Sequence, residues 1–70
     1  MYKVLDAFRV KDQTVIALDK KRNVVDLGAK LFVCGLDRFP VNWIHPDEFI
    51  SIQFLGNPSD LVGKTIELTR

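Results

Sequence analysis

The sequence predicts an all-β fold: a small six-stranded antiparallel β-barrel, closed or partly open, that spans residues 1–70 as a single domain. Several short segments alternate between apolar and polar residues with a period of two, which is the pattern of half-buried strands. Clusters of turn-forming residues separate these segments. Hydrophobic residues make up 47% of the chain, which is enough to build a core and argues against disorder.

The segment 30–55 is expected to form three consecutive antiparallel strands. A turn at residues 35–38 should join the first two, with Val33 opposite Phe39 so that one face of both strands becomes apolar. Pro46 and the two acids that follow it end the second strand. The residues predicted to point inward from these strands are Leu31, Val33, Phe39, Val41, Trp43, Ile50, Ile52 and Phe54.

Residues 2–10 predict a long first strand, which a turn at 11–13 connects to a second strand at 14–18. Asp6 shares the period-two register of the apolar residues in the first strand. An inward carboxylate on a strand needs either a partner or a β-bulge. The residues of this strand that are predicted to point inward are Tyr2, Val4, Phe8 and Val10.

The carboxyl-terminal part of the chain predicts one short helical turn near Ser59–Val62, capped by Ser59 or Asp60 and ended by Gly63. A last strand follows at Thr65–Thr69, with Ile66 and Leu68 on its inner side. Pairing of this strand with the first one would close the barrel and remove exposed edges.

The composition limits the classes of function that the chain can have. The net charge of +1 gives no overall attraction to nucleic acid or to a membrane. The apolar runs are strand-sized and too short to cross a bilayer. One cysteine and no recognisable leader indicate a reducing, cytoplasmic setting.

Catalytic and metal chemistry are not expected. Cys34, His45 and Asp37 or Asp47 have the residue types of a nucleophilic site, but extended strands would place the thiol and the imidazole about 20 Å apart. A structural zinc site needs four ligands, and the chain has one cysteine and one histidine. We therefore expect no enzyme activity, no cofactor and no small-molecule substrate.

Apolar residues left over on the outer face predict a binding surface. Phe32, Ile44, Phe49 and Leu55 fall outside the inward register of the central strands. An exposed apolar patch of this kind is typical of a protein contact or of self-association. The leading hypothesis is therefore a non-catalytic module that binds another protein.

The loop Lys20-Lys21-Arg22 supports an alternative hypothesis, because it is the only concentrated run of charge. It is either a solvated loop or a contact for the phosphates of RNA or single-stranded nucleic acid. The next residues, Val24 and Val25, predict a short strand or a loop that tucks into the barrel.

The order of these segments resembles the small β-barrel of translation GTPases, the second domain of elongation factors. The resemblance rests on the segment 27–35 with its spaced glycines and alternating apolar residues, on the return segment 41–44, and on the closing segment 61–66. It implies a barrel shape and carries over no nucleotide chemistry. SH3-like and oligonucleotide-binding barrels remain alternative topologies.

Overall fold

The computed structural model describes residues 1–23, 26, 28–44 and 46–70. The expectations for Val24, Val25, Leu27 and His45 lie outside these residues. The predicted all-β class is confirmed. The described residues form seven strands and one 3-10 helix at Pro58–Leu61. The strands are β1 (Tyr2–Val10), β2 (Gln13–Leu18), β3 (Leu31–Cys34), β4 (Asp37–Pro40), β5 (Asn42–Trp43), β6 (Phe49–Ile52) and β7 (Thr65–Thr69).

The strands form one antiparallel sheet in the order β4-β3-β7-β1-β2-β6-β5. The two end strands, β4 and β5, are neighbours in the chain and are joined by Val41 alone. A single residue spans less than 4 Å between successive Cα atoms, so the sheet must curl until its two ends meet at Val41. No ladder of hydrogen bonds joins β4 to β5 in the described residues.

The strand that the sequence predicts at 39–43 is divided at Val41, which is why the structure has seven strands and not six. Its first part pairs with β3, and its second part pairs with β6 on the opposite end of the sheet. The Val41 amide still donates to the carbonyl of Lys30, at 2.8 Å. The chain therefore changes partner immediately after this residue.

A β-bulge interrupts β1 at Leu5. Val4 is opposite Leu18, whereas Asp6 is opposite Ala17, so Leu5 has no residue opposite it. Of the two alternatives that the sequence left for Asp6, a partner or a bulge, the structure has the bulge. The Asp6 carboxylate accepts a hydrogen bond from the amide of Ala7 at 2.9 Å.

The bulge also reverses the orientation of every later residue in β1, because side chains alternate between faces along a strand. Tyr2 and Val4 are buried as expected. After Leu5 it is Ala7 that packs against the core, and Phe8 is 45% and Val10 47% exposed. The prediction that Phe8 and Val10 point inward is therefore wrong.

The register of the β3–β4 hairpin differs by one residue from the predicted one. Phe32, and not Val33, is opposite Phe39. The cause is the turn, which contains only Gly35 and Leu36, with Gly35 at φ 63°. Glycine at the first central position is typical of a two-residue hairpin turn. The shorter turn places Asp37 in the strand and shifts every pair by one residue.

Phe32 is consequently a core residue, with 0% of its surface exposed. Its predicted place on the outer face is wrong, because the shifted register turns it inward beside Phe39, with 6.3 Å between the ring centroids. Phe39, Trp43 and Phe54 are half-buried and pack against the core, as expected. The buried apolar residues are Tyr2, Val4, Ile16, Leu18, Ala29, Phe32, Ile50, Ile52, Leu61, Ile66 and Leu68.

The carboxyl-terminal elements agree with the expectation in type and place. The helical turn is capped by Asn57 in place of Ser59 or Asp60, because the Asn57 side chain accepts from the Ser59 amide at 3.1 Å. Gly63, at φ 85°, follows the turn. β7 pairs with the beginning of β1, as predicted, and also with β3.

Replacing Phe32 tests its assignment to the core. We expect Phe32→Ala to lower the free energy of unfolding by about 3–5 kcal/mol, the usual cost of deleting a buried aromatic ring. That is comparable to the whole stability of a small domain, so the milder Phe32→Leu should retain the fold with a lower urea midpoint. Leu36→Ala, at a residue that is 94% exposed, is the control and should shift the free energy of unfolding by less than about 0.5 kcal/mol. Wild-type stability in Phe32→Ala would place this ring outside the core.

Candidate binding surfaces

One face of the sheet keeps apolar residues that the core does not use. The ladders place Phe8 opposite Val15 on one row and Ala17 opposite Phe49 on the next row. Phe8 is exposed, and the other three are half-buried. Val10 lies on the same face, two residues beyond Phe8. We call these five residues, Phe8, Val10, Val15, Ala17 and Phe49, the outer apolar face.

Polar groups border this face on one side. Asn42, at the start of β5, donates from its side-chain amide to the side chain of Gln13 in β2, at 3.1 Å. β6 lies between β2 and β5, so this hydrogen bond passes over β6. Ser51, the residue of β6 opposite Asn42, is buried. Asp6 is the only charged residue on the rows that hold these five residues. Lys3 lies on the same side of β1, before the bulge.

The residues predicted to bind a protein are only partly brought together. Phe49 is part of the outer apolar face, but Phe32 lies in the core. Ile44 is half-buried directly after β5. Leu55 is 93% exposed in the loop after β6, which no ladder connects to the face. Sequence reasoning missed Phe8 and Val10. The signal for them was Asp6, because a bulge, one of the two alternatives for this acid, reverses the direction of the residues that follow it.

The basic loop does not present its arginine to solvent. The Arg22 guanidinium lies over the Trp43 ring, 4.2 Å from the ring centroid, and pairs with the Asp47 carboxylate at 2.8 Å. Only 6% of the Arg22 side chain is exposed, against 52% for Asp47. Its Nε has no hydrogen-bond partner among the described residues. The stack and the ion pair are therefore the contacts that hold this side chain.

The two lysines before Arg22 differ in their surroundings. The Lys20 ammonium lies 5.2 Å from the centroid of the Tyr2 ring, a cation–π contact. Lys21 is exposed beside a shallow depression that it shares with Pro46, Asp47 and Glu48. Because acids surround Lys21 and Arg22 is occupied, phosphate binding by this loop would depend on the two lysines. The nucleic-acid hypothesis stays a prediction.

Tyr2 anchors the same loop from the buried side. Its hydroxyl donates to the Asp26 carboxylate at 2.5 Å and accepts from the Asn23 amide at 2.9 Å. Burial raises the pKa of Tyr2 above its ordinary value of 10.0, and the hydrogen bond to Asp26 raises it further, while the Asn23 amide acts in the opposite direction. The loop is thus attached at Tyr2 and at Trp43.

Cys34, Asp37 and Asp47 are the residues considered for covalent chemistry that the described part of the chain includes. Cys34 is a free, half-buried thiol at the end of β3. His45 lies outside the described residues, so its distance from Cys34 stays a sequence-based expectation. No group of three histidine, cysteine or acidic side chains with metal-binding proximity occurs among the described residues.

Comparison with known proteins finds no matching family model, no matching curated protein and no matching solved structure. Within the described ranges, no helix has the length and apolar character needed to cross a membrane.

Arg22→Ala should destabilise the protein, because it removes both the stack on Trp43 and the ion pair with Asp47. We expect a loss of about 2 kcal/mol in the free energy of unfolding, measured in urea by Trp43 fluorescence. Trp43 is the only tryptophan, so its emission should also shift as the ring loses its cover. Lys21→Ala is the matched control and should change little. Equal stability of the two variants would mean that Arg22 is as dispensable as its neighbour.

The raised pKa of Tyr2 predicts a dependence of stability on alkaline pH. The neutral phenol is favoured in the folded state, so this contribution is complete below about pH 10, the unfolded pKa, and is lost as the pH rises through the folded pKa. We expect the free energy of unfolding to fall more steeply above pH 10 in the wild type than in Tyr2→Phe. Because the chain has one tyrosine, tyrosinate absorbance of the native protein reports this residue alone. Native titration at or below its ordinary value would contradict the assignment.

Proposed function

We propose that the protein is a non-catalytic binding module that docks another protein on its outer apolar face. The observation that carries the proposal is the exposure of Phe8 and Val10 on a sheet whose interior is already filled. Phe8 is opposite the half-buried Val15, and Ala17, two residues along β2 from Val15, is opposite Phe49. The apolar residues therefore lie on adjacent rows across three strands. Apolar patches that aromatic residues dominate are typical of protein contacts.

The fold that we propose for this module is a small barrel of the kind found as the second domain of elongation factors. The link through Val41 supports a barrel, because it brings the two end strands together. A cytoplasmic setting belongs to the same proposal and is supported by the single, free cysteine.

The charge of the face favours a protein over a nucleic acid. Single-stranded nucleic acids bind to surfaces that combine aromatic rings with lysine or arginine. The rows that hold the outer apolar face carry no basic residue, and their one charged residue, Asp6, is acidic. Lys3, before the bulge, is a single lysine on the same side of β1. An apolar protein surface therefore suits this face better than a phosphate backbone does.

Phe8→Ser and Phe49→Ser test the proposal. Loss of one central aromatic side chain typically costs about 2 kcal/mol of binding, so each variant should bind the partner about 30-fold more weakly. The measurement is affinity capture with quantitative mass spectrometry, together with sedimentation velocity at low and high protein concentration. Sedimentation shows whether the partner is a second copy of the chain.

Leu55→Ser is the matched control for this test, because Leu55 is 93% exposed but lies in the loop after β6, which no ladder connects to the face. Circular dichroism must show that all three variants are folded. A partner retained equally by Phe8→Ser, Phe49→Ser and the wild type would contradict the proposal. Partner loss in Leu55→Ser alone would also contradict the proposal, because it would assign binding to another surface.

A further inference from the structure

A second surface lies at the end of the sheet, where the β3–β4 turn faces the 3-10 helix. The two elements enclose an open cleft of about 650 Å³, which is within the usual range for ligand-binding pockets. Its apolar floor consists of Cys34, Phe39, Phe54 and Leu61. None of these residues belongs to the outer apolar face, so the cleft is a separate candidate for binding.

The aromatic floor is held in place before any ligand arrives. Phe39 and Phe54 pack edge to face, with 5.7 Å between their ring centroids and an angle of 90° between their planes. Gly56 lies so close over the other side of the Phe54 ring that a Cβ atom there would be 2.7 Å from the ring. Both rings remain half-buried. Packing therefore holds the two rings in position, so that binding costs little free energy for ordering them.

Arg9 fixes the loop that carries Phe54. One terminal nitrogen of its guanidinium donates to the carbonyl of Phe54 at 2.8 Å and to that of Gly56 at 2.7 Å. Its Nε donates to Thr14, which is buried in β2. This arginine thereby ties the cleft floor to the central strands and is itself unavailable to an anionic ligand.

Two acids and one lysine line the cleft, and the Arg38 guanidinium donates to the carbonyl of Leu36 beside the opening, at 3.4 Å. Asp37 lies on one side and Asp60 on the other, with Lys64 as the only cation among the lining residues. The one ion pair within the described residues joins Arg22 to Asp47, so neither acid at the cleft has a cationic partner there. A ligand with a positive charge next to an apolar group fits both the edge and the floor.

Leu36 extends the apolar surface beyond the cleft. It occupies the tip of the turn, lines the opening and is 94% exposed. The cleft is open, and this leucine projects past it, so the surface suits a ligand that continues outside the cavity. A segment of a protein has that form, whereas a compact small molecule does not.

We propose that this cleft binds a short segment of another protein in which a large apolar side chain is flanked by lysine or arginine. The apolar side chain rests on Phe39 and Phe54, and the cation lies between Asp37 and Asp60. Binding here is independent of the outer apolar face. The module then has two binding surfaces: the outer apolar face, which takes an apolar protein surface, and the cleft, which takes an apolar side chain next to a cation.

Selection of phage-displayed random linear peptides on the full-length protein tests the proposal. We expect enriched sequences that combine an aromatic or large aliphatic residue with an adjacent lysine or arginine. Synthetic copies of these peptides are then measured by fluorescence polarisation against the wild type, Leu36→Ser, the double variant Asp37→Asn/Asp60→Asn and Phe8→Ser. The substituted residues are exposed, so all variants should keep the fold, as circular dichroism will check.

The double variant should bind the enriched peptides roughly tenfold more weakly at low salt and lose this difference at high salt, since exposed charges are screened. Leu36→Ser should also weaken binding, and Phe8→Ser should not. Failure to enrich any peptide, or enrichment of acidic or uncharged ones, would overturn the proposal. Peptides that lose affinity only in Phe8→Ser would also overturn it, while supporting binding on the outer apolar face.

Discussion

The junction at Val41 is the constraint on which the rest of the structure depends. The strands before and after it lie at opposite ends of the sheet, yet one residue joins them. The sheet must therefore curl, and its inner surface becomes small. Phe32, Ile50 and Ile66 fill this interior. Apolar residues that do not fit inside, such as Phe8, remain on the outer surface, where they are available for binding.

A chain of 70 residues has little core to spare, so contacts outside the core matter for its stability. The loop after β2 shows how such contacts are made. Tyr2 holds it through two hydrogen bonds, and Trp43 holds it through the stacked guanidinium of Arg22. A loop that appears in the sequence as a run of positive charge is thus partly a structural element. Arg22 is buried with its charge paired, which is the arrangement that the interior of a protein tolerates.

The two candidate surfaces follow from different features of the fold. The outer apolar face exists because the bulge at Leu5 turns Phe8 and Val10 outward. The cleft exists because the chain after β6 must pass around the end of the sheet to reach β7, and it carries Phe54 and Leu61 to that end. Arg9 connects the two regions, since it lies in β1 next to Phe8 and binds the carbonyls beside the cleft. One side chain thus links the strand of the outer apolar face to the loop beside the cleft.

The sequence by itself determined the all-β class, the approximate positions of the strands and the helical turn before β7, because period-two alternation and turn chemistry are local properties. It also left a partner or a bulge as the two alternatives for Asp6, and the structure has the bulge. Only the tertiary structure decided which side of a strand faces the core. Side chains alternate between the two faces of a strand, so a shift of one residue in register turns each of them to the other face. The extra residue at Leu5 and the short turn of Gly35 and Leu36 each cause such a shift. For that reason Phe8, predicted to face the core, is exposed, whereas Phe32, predicted to lie on the outer face, is buried. The pairing of Arg22 with Trp43 and Asp47 was likewise inaccessible from the sequence, because packing of segments distant in the chain creates it.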